Sequence, residues 1–215
     1  MKKTFLTMAG LSVVWVAASC ASRPSADELD QQTLAMLKAS FRNEGIASTD
    51  RLNQDLGQKA CSSDQAPTAA VSAKIETEAM ASIVWPSGGK YLGDWREGEK
   101  LAQNGRGMTW TDRSVAPSAN GANCYNCHQI TKQEVSFGTL GPSLYHYGKL
   151  RGVSNPADPA SAAIVRYTWG KLWNSKAYSA CSNMPRFGHA QLLNEAQIQH
   201  LMALLLDPKS PVNDY

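Results

Sequence analysis

The chain has 215 residues, 43% hydrophobic and 18% charged, with a formal net charge of +3 that falls to +1 once Lys2 and Lys3 are removed. So near-neutral a chain gives no electrostatic case for nucleic acid as a partner. The composition is that of an ordinary soluble protein, long enough for one compact domain plus an extension.

The first residues read as an export signal. Lys2 and Lys3 form a basic start, Phe5 to Ala18 is mostly apolar, and Ala17, Ala18 and Ser19 are small. Residues 1–21 are therefore expected to be a secretory signal peptide, too short and wrongly flanked for a spanning helix. Cleavage after Ala21 would discard Cys20, whereas lipoprotein processing would make Cys20 the acylated first residue. Ala17 stands where a lipobox prefers a larger aliphatic residue. The expectation is thus a soluble periplasmic product, with a lipid anchor through Cys20 as the alternative and the only route to a membrane.

Residues 22–92 read as a helical extension. Helix-prone stretches run from Asp27 to Asn43, from Thr49 to Ala60 and from Val71 to Ile83. Each has only a weak apolar stripe, such as Leu29, Thr33, Met36, Leu37, Ser40 and Phe41, which suits helices lying on another surface. Trp85-Pro86-Ser87-Gly88-Gly89 punctuates the end of this region, and residues 93–215 are expected to form the second domain. No repeat and no strand-like alternation is present, so the expected class is all-α.

Asp94 to Gln103 has a helix pattern with Trp95, Gly98, Leu101 and Ala102 on one face. Cys124-Tyr125-Asn126-Cys127-His128 then follows, and C-x-x-C-H is the attachment signature of a c-type haem. Each thiol can add to a vinyl group of one porphyrin, and His128 is placed to ligate the iron. A thioredoxin-like pair or half a zinc site is the rival reading, but no second C-x-x-C and no H-x3-5-H follows to complete a zinc tetrahedron.

Of the remaining cysteines, Cys61 and Cys181 are left as a possible disulfide in an oxidising compartment, with two separate thiols as the alternative. A sixth iron ligand must come from downstream. Met184, followed by Pro185 in a turn-rich stretch, is the candidate, and a thioether trans to histidine raises the reduction potential. His189 is its rival; His146 and His200 are expected to be exposed. The last helix is expected to start at Asn194, with Gln197 at the capping-box position and Ile198, Leu201, Met202 and Leu205 as its apolar stripe, and to stop at Asp207-Pro208.

From Gly93 onward the order of these signals resembles a class I cytochrome c. The resemblance implies that the first and last helices of this domain cross. Gly138-Thr139-Leu140-Gly141-Pro142-Ser143-Leu144 looks like the Gly-Pro-x-Leu segment of that class. By that carry-over the Pro142 carbonyl would accept a hydrogen bond from His128, and Pro142 and Leu144 would belong to the haem site.

Three stretches narrow the resemblance: Cys124 to Ile130, Gly138 to Tyr145, and Tyr167-Thr168-Trp169-Gly170-Lys171 running into Tyr178-Ser179-Ala180-Cys181-Ser182-Asn183-Met184-Pro185-Arg186-Phe187-Gly188. They are similar to SoxX, the monohaem cytochrome subunit of the SoxAX complex of thiosulfate oxidation. The resemblance implies one covalent haem c with His128 and Met184 as axial ligands and no catalytic residue in this chain. It also implies a heterodimer with SoxA, whose haem is catalytic, forming an L-cysteine S-thiosulfotransferase that couples thiosulfate to a cysteine of the SoxYZ carrier. Electrons would leave through this chain to a small soluble cytochrome. A freestanding electron shuttle and a haem enzyme or gas sensor with an open iron site are the rival functions.

Overall fold

The computed structural model describes residues 23–213. The expected signal peptide, Cys20 and its lipidation lie outside them. The described residues are helical, with seven α-helices joined by 3-10 turns and irregular loops, and they contain no strand beyond one isolated bridge between Glu44 and Ala47. The all-α class is therefore correct. Among the described residues no helix is long and apolar enough to cross a membrane.

The chain divides into two units after Ser40. The first carries helix α1 (Ala26–Ser40), started by Ser25, whose backbone N–H donates to Glu28 Oε2 at 2.7 Å, and α1 has no buried residue. The second unit spans everything from Phe41 onward, so the expected junction at 92/93 lies inside it. The physical reason is that residues 41–92 do not lie on a finished surface. Ala79 and Ile83 belong to the same buried cluster as Trp169, Leu201 and Leu206, and Trp169 Nε1 donates to the Val84 carbonyl at 2.9 Å.

Local chemistry sets the helix limits. The expected helix from Thr49 to Ala60 is instead a 3-10 turn at Thr49–Leu52 followed by α2 (Leu56–Cys61). The break comes at Asp55, which leaves helical geometry to cap α2: its Oδ1 accepts from Gln58 N at 2.7 Å, and Gln58 Oε1 accepts from Asp55 N at 2.9 Å. Helix α3 (Ala69–Ala81) is capped by Thr68. Helix α4 (Trp95–Ala102) is capped by Asp94, and a short α5 covers Tyr147–Leu150. Helix α6 (Ala162–Trp173) buries Val165, Thr168, Trp169 and Leu172 at helical spacing. The last helix, α7 (Glu195–Leu206), has the full capping box at Asn194 and Gln197.

Helices α4 and α7 cross with their backbones in close approach. A Cβ on Gly98 would overlap the His200 carbonyl, so only glycine fits there. Gly93 N donates to the Gln199 carbonyl at 2.8 Å, and Asp94 N donates to His200 Nδ1 at 2.9 Å. His200 is therefore not the exposed residue expected from its helix face; it is half-buried and helps hold the crossing. His146 is likewise half-buried, its ring 3.6 Å from that of Tyr145. Trp169 is fully buried at the centre, edge-on to Tyr91 and stacked with Trp173.

Candidate functional site

Asn123, in the left-handed region at φ 53°, turns the chain into a single 3-10 turn over Cys124–Asn126. The Cys124 carbonyl accepts from both Cys127 N at 3.1 Å and His128 N at 2.9 Å, so both thiols and the imidazole emerge from one turn. The loop 138–144 is laced along this turn: Gly138 N donates to Tyr125 O at 2.9 Å, Gly141 N to Cys127 O at 2.8 Å, and Leu144 N to Gln129 O at 2.7 Å. Two glycines make that approach possible. A Cβ on Gly138 would overlap the Asn126 carbonyl, and one on Gly141 would overlap the His128 ring.

This lacing brings the Pro142 carbonyl to 2.6 Å from His128 Nδ1. A carbonyl oxygen can only accept, so Nδ1 carries the ring proton and Nε2 is left with the lone pair of a metal ligand.

Cys124 and Cys127 are both outside any disulfide and half-buried. Burial pushes the Cys124 thiol up to about 12. A redox-active C-x-x-C needs the reverse, a thiol pulled down by nearby positive charge. The donor set is also wrong for a metal cage built by protein alone, because no group of three or more His, Cys, Asp or Glu side chains converges among the described residues. Two thiols and one imidazole presented from a single turn are donors that could hold a cofactor supplying further ligands of its own.

Met184 borders the same core as Cys124, Tyr125 and Leu144, and its thioether is half-buried. Ser175 Oγ donates to the Met184 carbonyl at 2.6 Å, and Met184 N donates to Ser182 Oγ at 3.3 Å. His189, its rival, is exposed. Nearby, Gly188 packs on the Trp173 ring, whose buried Nε1 has no hydrogen-bond partner within the protein. A buried donor without a protein acceptor is one that water or a bound group could satisfy.

The segment before Met184 is fastened to the N-terminal helices. Cys61, the last residue of α2, is disulfide-bonded to Cys181, the pairing that cysteine counting left as one of two possibilities. Ala180 N donates to Glu76 Oε1 at 3.0 Å, and Arg186 pairs with Asp55 at 2.7 Å. Burial acts to raise the Asp55 pKa, but the Gln58 N–H together with Arg186 and Lys176 outweighs it and holds the carboxyl below its usual range.

An uncharacterized lipoprotein from Aquifex aeolicus (strain VF5) is 33% identical to this chain over 201 residues, covering 90% of this chain and 92% of that protein. The chain belongs to that lipoprotein's family. No family model matches it. Some of the residues expected from sequence share local contacts in this structure. Cys124, Cys127, His128, Pro142 and Leu144 are brought together, and Met184 lies on the border of the shared core. Sequence reasoning missed Gly141, Trp173 and the pair Asp55–Arg186. Only Asp55 had a local signal, its capping box with Gln58; the others depend on contacts distant in sequence.

Proposed function

We propose that this chain is an extracytoplasmic c-type cytochrome of the SoxX kind, an electron-transfer subunit that takes electrons from a SoxA-like haem partner. The observation that carries the reading is the turn 124–128, with two uncommitted thiols and a histidine whose Nδ1 is tied to Pro142 at 2.6 Å. When bound, haem supplies an iron that stores one electron at a time.

The chain's own residues would do the rest. Cys124 and Cys127 would hold the haem through thioethers, and His128 Nε2 and the Met184 thioether would ligate its iron. Pro142 fixes the His128 tautomer, Leu144 and Ile130 would give the group apolar surroundings, and Trp173 Nε1 would be available to donate to one of its carboxylates. With His128 and Met184 both holding the iron, the chain would bind no substrate there, which favours electron transfer over a haem enzyme or gas sensor. The close crossing of α4 and α7 supports a class I cytochrome c fold.

The partner assignment rests on the stretch Ala180-Cys181-Ser182-Asn183-Met184-Pro185-Arg186-Phe187-Gly188. Thiosulfate coupling to a SoxYZ carrier cysteine and onward transfer to a small cytochrome follow from that assignment. The name of the Aquifex relative favours acylation at Cys20, reversing the preference drawn from Ala17, and an anchored chain suits a fixed subunit better than a diffusing shuttle. Because the end of the stretch 41–92, through Ala79, Ile83, Trp85 and Tyr91, is built into the main core, its length weighs less against the shuttle.

The test is expression with the c-haem maturation machinery. One haem per chain should survive denaturation and organic extraction, and be lost in a Cys124→Ala, Cys127→Ala variant. Recovery of the apo mass with both thiols open to alkylation would overturn the reading. Native co-purification of a second covalent-haem polypeptide separates the subunit from the shuttle.

A further inference from the structure

An open pocket of about 320 Å3 lies beside the Cys61–Cys181 bridge, lined by both cysteines and by Gln58, Lys176, Met184 and Arg186. The two sulfurs are not equivalent, because Cys181 is exposed and Cys61 half-buried. Lys176 is only 8% exposed, and its Nζ donates to the Ala180 carbonyl at 3.0 Å. Cys61 Sγ lies 3.5 Å from that same carbonyl oxygen, so a buried ammonium and the inner sulfur converge on one atom. Gly57 of α2 makes room for this arrangement, since a Cβ there would sit 3.2 Å from Lys176 Nζ.

Most structural disulfides sit away from solvent and charge. Here an exposed cysteine lines an open pocket, and the Cys61 sulfur, as a leaving thiolate, would be stabilised by a cation. Both features speed thiol–disulfide exchange, which depends on access to the attacked sulfur and on how readily the other sulfur departs.

We infer that the Cys61–Cys181 bridge is an exchange site for a dithiol reductant carried by another protein, attacked at Cys181 with Lys176 positioning the departing Cys61 thiolate. The incoming thiolate forms a bond to Cys181 Sγ, the Cys61–Cys181 bond breaks, and Cys61 takes a proton. The reductant's second thiol, losing its proton, then displaces Cys181 and closes the reductant's own disulfide. Two electrons and two protons thus pass from the dithiol to the cysteine pair. The product removes the covalent tie between α2 and the segment before Met184, leaving the Asp55–Arg186 pair. This inference stands whether or not the chain carries haem.

The test uses the folded full-length protein, quenched with iodoacetamide and mapped by mass. With dithiothreitol the bridge should open at a rate proportional to reagent concentration, and with glutathione the first adduct should form on Cys181. Lys176→Met should slow opening about tenfold, by loss of leaving-group stabilisation. Gly57→Ala, which displaces the ammonium while keeping it, should slow it in the same direction. A rate that does not depend on dithiothreitol concentration, meaning that the protein must unfold first, would overturn the inference. So would glutathione on Cys61, or unchanged rates in both variants.

Discussion

Gly141 bears the tightest constraint at the candidate site, since any side chain there meets the His128 ring. Gly141→Ala should push the ring off the Pro142 carbonyl and cost about 1–3 kcal/mol, read as a lower unfolding midpoint together with less covalent haem per chain. Pro142→Ala keeps the accepting carbonyl and should leave attachment nearly unchanged; a loss as large as that of Gly141→Ala would mean that the carbonyl contact is not what matters. Met184→Ala should abolish the sulfur-to-iron charge-transfer absorption of the oxidised protein and let carbon monoxide bind the reduced one. If His189→Ala did so instead, the ligand assignment would be wrong. Asp55 sets a pH dependence. Its folded carboxyl is held below the ordinary 3.8, so its contribution is complete above that value and is lost as pH falls through the lower folded pKa. The carboxylate is 42% exposed and screened, which limits the contribution to about 0.5 kcal/mol. Acid titration of wild type against Asp55→Asn should give curves that converge at the acid end.

Helices show how sequence becomes structure unevenly. Helix α7 was legible in full, because Asn194, Gln197 and the apolar spacing all lie within a dozen residues. Helix α6 was not anticipated, although Val165, Thr168, Trp169 and Leu172 carry the same spacing and Pro159 sits in the turn that leads into it. Tyr167 and its two tryptophans blur the polar face that makes a helix stand out. The helix expected over Thr49–Ala60 failed for a different reason: Asp55 and Gln58 cap better than they propagate, so a start signal inside the stretch broke it. The C-x-x-C-H turn stands out from five residues, whereas the contacts of Trp173 and the Asp55–Arg186 pair do not, because no local pattern encodes them. The crossing of α4 and α7 yields the strongest prediction at this scale. Gly98→Leu forces a side chain into the His200 backbone and should cost at least about 3 kcal/mol, more than most surface helix substitutions. Circular dichroism melting would check it, and a shift as small as that of Glu99→Ala would mean the helices do not approach so closely.

The second unit behaves as one body because the bridge between Cys61 and Cys181, 120 positions apart, encloses most of it. Replacing both cysteines by serine should remove about 2–5 kcal/mol of stability, seen as an earlier urea midpoint with a similar slope. Helix α1, with no buried residue, should contribute little, and a chain starting at Phe41 should melt within about 2 °C of the full one. The same bridge orders the making of the molecule. Cys124 and Cys127 lie between the bridged cysteines in sequence, so a chain oxidised from its N-terminus forward meets two wrong partners for Cys61 before the right one emerges. Correct maturation therefore requires either that those inner thiols be chemically occupied early or that an isomerase reshuffle a misjoined chain, a process of seconds to hours. A cell lacking such an isomerase should accumulate 61–124 and 61–127 isomers, trapped with their active turn already spent.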